Sequence, residues 1–105
     1  MIGCMDLTDV FLALSNKHRQ HIVESLKDPE RHYRPNEPSV DMTSTGVCVS
    51  QVSEHLDVTA ATASQYLAQL KNVGILSSER LGKFTFYRRN EGRIAEITQA
   101  ITEQL

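Results

Sequence analysis

The stretch from Val49 to Arg89 constrains the fold more than any other part of the chain, because its apolar pattern changes from helical to alternating. Apolar residues first recur at helical spacing as far as Leu56, and a short turn separates them from a second helical stretch, Thr59 to about Asn72. Thr59 suits the N-cap of that helix, and Gly74 is a typical signal just past its end. Alternating segments then predict a hairpin with strands at Ile75–Ser78 and Phe84–Arg88 around Leu81-Gly82-Lys83. The expected structure is a helix-turn-helix followed by a β-hairpin wing.

Three further helices are expected outside this stretch. The first covers Leu7 to Leu14 with Asp6 or Thr8 as its cap, the second follows Ser15-Asn16 and ends near Asp28-Pro29, and the last covers roughly Glu91 to Gln104. The predicted fold is therefore mostly α with a small β-hairpin, in the order α-α-α-α-β-β-α. We expect residues 1–105 to form a single winged helix-turn-helix domain, which a chain of this length suits.

The segment from Pro29 to Gly46 has a different composition, with all three prolines of the chain among Ser and Thr residues. Such a composition is typical of a loop or an insertion. Because a connection this long is unusual in a small domain, it is expected to be either functional or mobile, and the sequence does not decide between the two.

Several classes of protein are disfavoured by the composition. No apolar run approaches the ~20 residues that a membrane-spanning helix needs, and the N-terminus lacks the basic region of a signal peptide. Two cysteines, Cys4 and Cys48, do not make a disulfide framework, so a cytoplasmic protein is expected. Phosphate-binding loops, zinc-protease motifs and nucleophile elbows are all missing from the sequence, which disfavours an enzyme. No cofactor is predicted.

The charge distribution favours nucleic acid as a partner only weakly. The net charge is −2, whereas strongly basic domains are typical of DNA-binding proteins. The half from Val49 to Arg93 nevertheless carries +2 and the remainder −4, and the positive charge concentrates in the proposed wing. A dimer would present two such surfaces and gain affinity that a single copy lacks. A winged helix that contacts another protein remains the main alternative.

The second helix of the helix-turn-helix has a suitable start for reading DNA. A recognition helix needs short polar side chains at its N-terminal end so that its backbone approaches the base edges. This start supplies the polar side chains of Thr59, Thr62, Ser64 and Gln65, with the short side chains of Ala60, Ala61 and Ala63 between them. Gln65 is suited to a bidentate contact with adenine, and the hydroxyl groups are suited to bases or phosphate. The alternative interpretation is a well-capped, Ala-rich helix start with no ligand.

Three motifs, in order, resemble the ArsR/SmtB family of bacterial winged-helix repressors. CVSQVSEHLDVTAATASQYLAQLKNVGIL is similar, without a gap, to the family's helix-turn-helix run. LGKFTFYRRN is similar to its wing strand, and LALSNKHRQHIVESL is similar to its upstream helix, with Arg19 at an arginine position. The resemblance covers nearly the whole chain except Pro29 to Gly46, which is longer than the family's usual connection.

The resemblance implies a homodimer formed through the first and last helices, which binds a palindromic operator in double-stranded DNA as a repressor. It also implies release by an inducer, whose identity the sequence leaves open. The residues that match the family's DNA-reading positions are Ala60, Thr62, Ser64 and Gln65, and the wing contacts fall near Arg80 and Lys83. Gln65 and Tyr66 replace a common His-His pair, so a different operator sequence is expected.

Family members often sense metals, but this chain departs from both common sites. Ser50 stands where the second cysteine of a Cys-Val-Cys would follow Cys48, and the last helix has no histidine. A thiol or metal sensor remains an alternative if Cys4 and Cys48 meet across a dimer, assisted by His55. The competing interpretation is that Cys48 is a small buried apolar residue and Cys4 lies on a frayed terminus.

The other histidines give weaker signals. His18 and His21 lie about one helical turn apart, which permits a metal pair but favours a solvent-exposed helix face. His32 lies in the Pro29 to Gly46 segment beside Tyr33 and Arg34, where the sequence permits ligand binding without specifying a ligand.

Overall fold

The computed structural model describes residues 6–35 and 40–105. Within these ranges, seven helices and three strands follow the order α1, α2, α3, α4, β1, α5, α6, β2, β3, α7. Their bounds are Leu7–Ala13 (α1), Lys17–Ser25 (α2), Pro29–His32 (α3), Met42–Thr45 (α4), Val47–Cys48 (β1), Val49–Leu56 (α5), Ala60–Asn72 (α6), Leu76–Leu81 (β2), Phe84–Arg89 (β3) and Glu91–Gln104 (α7). The predicted winged helix-turn-helix is confirmed, with two short helices and one strand added.

Side-chain caps set the starts of α1, α2, α6 and α7, and Asp41 caps α4 likewise. Asp6 accepts a hydrogen bond from the Thr8 amide (2.9 Å), so Asp6 rather than Thr8 caps α1. Asn16 caps α2 and Asn90 caps α7 in the same way, each through its side-chain oxygen. Thr59 caps α6 by accepting from the Thr62 amide (3.1 Å), as the sequence predicts. A cap satisfies an amide that has no partner inside the helix, so these positions are fixed locally.

The segment expected to be a loop contains regular structure. Its described part forms the single-turn helices α3 and α4, while 36–39 lie outside the described residues. Contacts with other elements stabilise both turns: the buried hydroxyl groups of Tyr33 and Ser25 lie 2.7 Å apart, and Met42 is buried in the core. Composition alone misses such turns, because each is too short to show a helical period.

The sheet has three antiparallel strands in the order β1-β3-β2, where the sequence predicts only two. Val47 pairs with Tyr87 and Cys48 with Phe86, which places β1 on the free edge of the hairpin. Gly46 makes this approach possible: its φ is +104°, and a Cβ there would overlap the carbonyl group of Tyr87. A two-residue strand carries no alternation to detect, so the sequence does not reveal β1.

The hairpin is longer and its turn tighter than expected. Leu81 pairs with Phe84, so the turn consists of Gly82 and Lys83 alone. Gly82 has φ +61°, the conformation that a two-residue hairpin turn requires at its first position. The wing therefore extends from the domain as a continuous ribbon with Lys83 at its tip.

The core lies between the helix-turn-helix, α2, α7 and the inner end of the sheet. Its fully buried side chains include Ile22, Val47, Val52, Leu67 and Leu70. Ile97 of α7 is also buried, and α1 packs against α7. In the described part of the chain, every helix is too short or too polar to span a bilayer.

A candidate nucleic-acid interface

The turn between α5 and α6 fixes the direction of the second helix. Asp57 adopts a left-handed conformation (φ 55°) and ends α5. The Ser53 hydroxyl donates to the Val58 carbonyl oxygen (2.6 Å), and the Val58 amide donates to the Ser53 carbonyl oxygen (3.1 Å). These two hydrogen bonds satisfy polar groups of the turn without solvent, which makes the turn rigid rather than flexible.

Burial of one face of α6 decides which of its residues face outward. Ala63, Leu67 and Leu70 are fully buried, so they anchor the helix against the core. The remaining positions of the first two turns must then point away from the core. Thr59, Ala60, Ser64 and Gln65 are exposed, and Thr62 is half-buried. The outward face thus carries small or polar side chains, as the sequence predicts for a helix that approaches base edges.

The two threonines at the start of α6 are partly committed to the helix itself. Besides capping the Thr62 amide, the Thr59 hydroxyl donates to the Thr62 hydroxyl oxygen (3.0 Å). Ser64 and Gln65, one turn further, are therefore the polar side chains of this face best placed to contact a ligand. Tyr66 faces another way: its ring lies 5.7 Å from that of His18 and 5.8 Å from the Arg19 guanidinium carbon.

The wing places its basic residues beside this face. Arg80 and Lys83 are exposed, and the Arg80 Nε donates to the Gly82 carbonyl oxygen across the turn (3.3 Å). Lys83 and Ser64 line the same recess of about 350 Å³, together with Cys48 and Tyr87. Arg88 is less available, because it forms an ion pair with Glu79 (3.3 Å). The recognition helix and the wing tip therefore border one surface concavity.

Arg19 has a structural position that the sequence does not reveal. Its Nε and Nη2 donate to the carbonyl oxygens of Ala13 (2.6 Å) and Leu12 (3.1 Å), and its Nη1 donates to the Gln69 amide oxygen (2.9 Å). The guanidinium group thus covers the C-terminal end of α1, where unpaired carbonyl groups attract positive charge. This arginine therefore bridges the end of α1 and Gln69 of α6.

The thiol site suggested by the sequence is only partly described. Cys4 lies outside the described residues. Cys48 is buried, with its Sγ 3.2 Å from the Ser50 hydroxyl oxygen. Cys48 precedes His55 by seven residues, about 10 Å along the axis of α5, so one protomer does not bring them around one metal ion. The proposed contact across a dimer stays a prediction.

The sequence favours a solvent-exposed face for His18 and His21, and the structure agrees for His18, which is exposed and lies against Tyr66. His21 is half-buried and contacts His55 instead, with the Nε2 atoms of the two rings 2.8 Å apart. His32 also lies against this pair. Sequence spacing could not have found this group, because its members come from α2, α3 and α5.

Comparison with known proteins agrees with this architecture. Residues 47–78 match the family described as "Bacterial regulatory protein, arsR family". The chain is 43% identical over 101 residues to the uncharacterized HTH-type transcriptional regulator YbzH of Bacillus subtilis, covering 96% of this chain and 100% of that protein.

Two solved structures share the fold. An ArsR-like transcriptional regulator from Rhodococcus sp. RHA1 aligns with a TM-score of 0.64 at 21% identity, covering 92% of this chain and 76% of that one. The homodimeric winged helix-turn-helix DNA-binding domain of Mb0332 from Mycobacterium bovis aligns with a TM-score of 0.61 at 22% identity, covering 93% and 79%. Three findings agree: the identity to a relative along its full length, the family match over the helix-turn-helix, and the shared fold. The chain therefore belongs to the ArsR family of DNA-binding transcriptional regulators.

Proposed function

We propose that the protein is a homodimeric repressor that binds a palindromic operator through α6 and the wing and is released by an inducer. The observation that carries this proposal is the shared concavity between Ser64 on α6 and Lys83 at the wing tip. With α6 in a major groove, Gln65 contacts base edges while Lys83 and Arg80 contact phosphate groups. The regulator would act in the cytoplasm, where its operator lies.

The dimer follows from what α1 leaves exposed. Leu12 and Phe11 of α1 are 61% and 44% exposed, although both are large apolar side chains, and α1 packs beside α7. A second copy would cover these side chains, and a two-fold dimer matches a palindromic DNA site. The likeness to a homodimeric domain of the same fold supports the same arrangement.

The test is binding to the DNA upstream of the protein's own gene, measured by fluorescence anisotropy at several salt concentrations. We expect affinity to fall steeply with salt, because phosphate contacts release counterions. Gln65→Ala should weaken operator binding by about 1–3 kcal/mol and relax sequence preference, since it removes a base contact. Lys83→Ala should weaken all sequences alike and reduce the salt slope by about 1.

Lys27→Ala is the matched control, because Lys27 lines a different recess together with Pro29 and Glu91. It removes the same charge and should leave the salt slope close to that of the wild type. Binding that neither depends on salt nor distinguishes Lys83→Ala from Lys27→Ala would contradict the DNA-binding surface. That result would favour the alternative in which the wing contacts a protein partner.

A further inference from the structure

Gln65 marks the direction in which the recognition helix α6 faces outward. At about 100° per residue, the buried side chains of α6 lie roughly 140–200° around the helix axis from Gln65. These buried side chains are Ala63, Leu67 and Leu70. Gln65 therefore points away from the core, and the residues next to it in sequence lie on the two flanks of the helix.

Different elements lie against these two flanks. Ser64 and Tyr66 each lie about 100° from Gln65, in opposite directions around the axis. On the Ser64 flank is the wing, whose Lys83 lines one recess together with Ser64. On the Tyr66 flank is the first turn of α2, where the His18 ring lies 5.7 Å from the Tyr66 ring. The wing and the start of α2 thus lie on opposite sides of the outward face of α6.

The start of α2 lies close to the outward face itself. The Arg19 Nη1 donates to the Gln69 amide oxygen (2.9 Å), and Gln69 lies only about 40° around the axis from Gln65, one turn further along α6. The Arg19 guanidinium carbon also lies 5.8 Å from the centre of the Tyr66 ring. These contacts attach α2 to this flank, so the side chains that the first turn of α2 exposes lie beside the outward face.

The first turn of α2 exposes groups that suit a phosphate. Lys17 and His18 are both exposed, and the turn contains no acidic residue. Every ion pair within residues 6–35 and 40–105 involves an arginine, so Lys17 forms none there. Lys17 can therefore contact an anion without first losing a carboxylate partner in this part of the chain.

We propose that Lys17 and His18 contact the sugar-phosphate backbone of DNA on the side of α6 opposite to the wing. A helix about 10–12 Å in diameter fills most of a major groove about 12 Å wide, so one backbone lies along each flank of the helix. In this arrangement Lys83 contacts one backbone, while Lys17 and His18 contact the other. Phosphate contacts on both sides fix the position of the helix in the groove without reading sequence. The inference rests on the proposed entry of α6 into a major groove.

The experiment is ethylation interference with the DNA upstream of the protein's own gene, together with fluorescence anisotropy at several salt concentrations. In the wild type, we expect ethylation to interfere at two sets of phosphates in each half-site, one set on each backbone. Lys17→Ala and His18→Ala should each lose interference at the same set, and Lys83→Ala should lose it at the other. Lys17→Ala should also weaken binding to all sequences alike and reduce the slope of log affinity against log salt by about 1.

Lys27→Ala and His32→Ala are the matched controls, since they remove the same kinds of side chain at exposed positions outside the first turn of α2. Both should keep the two sets of phosphates and the salt slope of the wild type. If Lys83→Ala loses its set while Lys17→Ala and His18→Ala keep the pattern of the wild type, the second contact is overturned and the proposed function stands. A wild type whose binding does not depend on salt would overturn both.

Discussion

Replacement of Arg19 by alanine should destabilise the domain substantially, although the side chain lies near its surface. The guanidinium group donates to the carbonyl oxygens of Leu12 and Ala13 and to Gln69, at 2.6–3.1 Å. Hydrogen bonds from a charged donor contribute about 1.5–3 kcal/mol each. The bonds to Leu12 and Gln69 are exposed, so we neglect both and use about 1.5 kcal/mol for the part-buried bond to the Ala13 carbonyl oxygen.

The expected loss in the free energy of unfolding is therefore about 1.5 kcal/mol for Arg19→Ala. At this chain length the loss corresponds to a decrease in Tm of roughly 6–12 °C. Arg19→Lys keeps the charge, but a lysine ammonium group lacks the planar arrangement of donors of a guanidinium group. It should therefore recover less than half of the lost free energy of unfolding. The assay is urea unfolding followed by circular dichroism, at one fixed protein concentration because association changes the apparent stability.

Arg80→Ala provides the control. Arg80 is exposed, and its bond to the Gly82 carbonyl oxygen is long (3.3 Å), so its loss should change stability by less than about 0.5 kcal/mol. If Arg19→Ala unfolds within about 0.5 kcal/mol of the wild type, the guanidinium group does not hold α1 in place. The reasoning that assigns this arginine a role in holding the end of α1 would then be refuted.

Two further outcomes are expected. Leu12→Asp should convert the dimer into a folded monomer, measured by analytical ultracentrifugation, and should weaken operator binding. Ile97→Asp should instead unfold the protein, because Ile97 is buried in the core of each protomer. A Leu12→Asp variant that stays dimeric would exclude α1 from the interface. Because the pKa of His55 is lowered in the folded protein, the unfolded chain binds more protons as the pH falls. The free energy of unfolding should therefore decrease as the pH drops from about 7.5 to 5.5 in metal-free buffer, and it should decrease less in His55→Gln. Urea unfolding at each pH measures both. Equal pH dependence in the two proteins would count against a neutral His55.

The parts of the fold that the sequence predicts well are those decided by neighbours in the chain. The N-caps Asp6, Asn16 and Thr59 act on amides two or three residues away, and the turn at Gly82 requires only its own backbone conformation. The outward face of α6 follows in the same way, because its buried positions recur with the helical period. Local signals of this kind depend only on residues that are close together in the sequence.

The parts that the sequence misses depend on contacts between distant segments. β1 exists because Val47 and Cys48 pair with β3, some forty residues later, and Gly46 permits the approach. Leu7–Leu14 and the last helix were both expected to face a partner, yet only the structure shows that Ile97 turns inward while Leu12 stays exposed. A helical period identifies an apolar stripe but does not say whether its own protomer or a second copy covers it.

The sequence by itself thus determined a winged helix-turn-helix and the residues at the start of its second helix. Periodicity and caps are enough for that, since both act over one or two turns, whereas the ArsR type rested on the resemblance of three motifs to that family. Only the tertiary structure decided that Lys83 and Ser64 share one concavity, that Arg19 covers the end of α1, and that His21 meets His55. Residues 34 positions apart become neighbours only when α2 and α5 pack against the same core, and no local pattern encodes that distance.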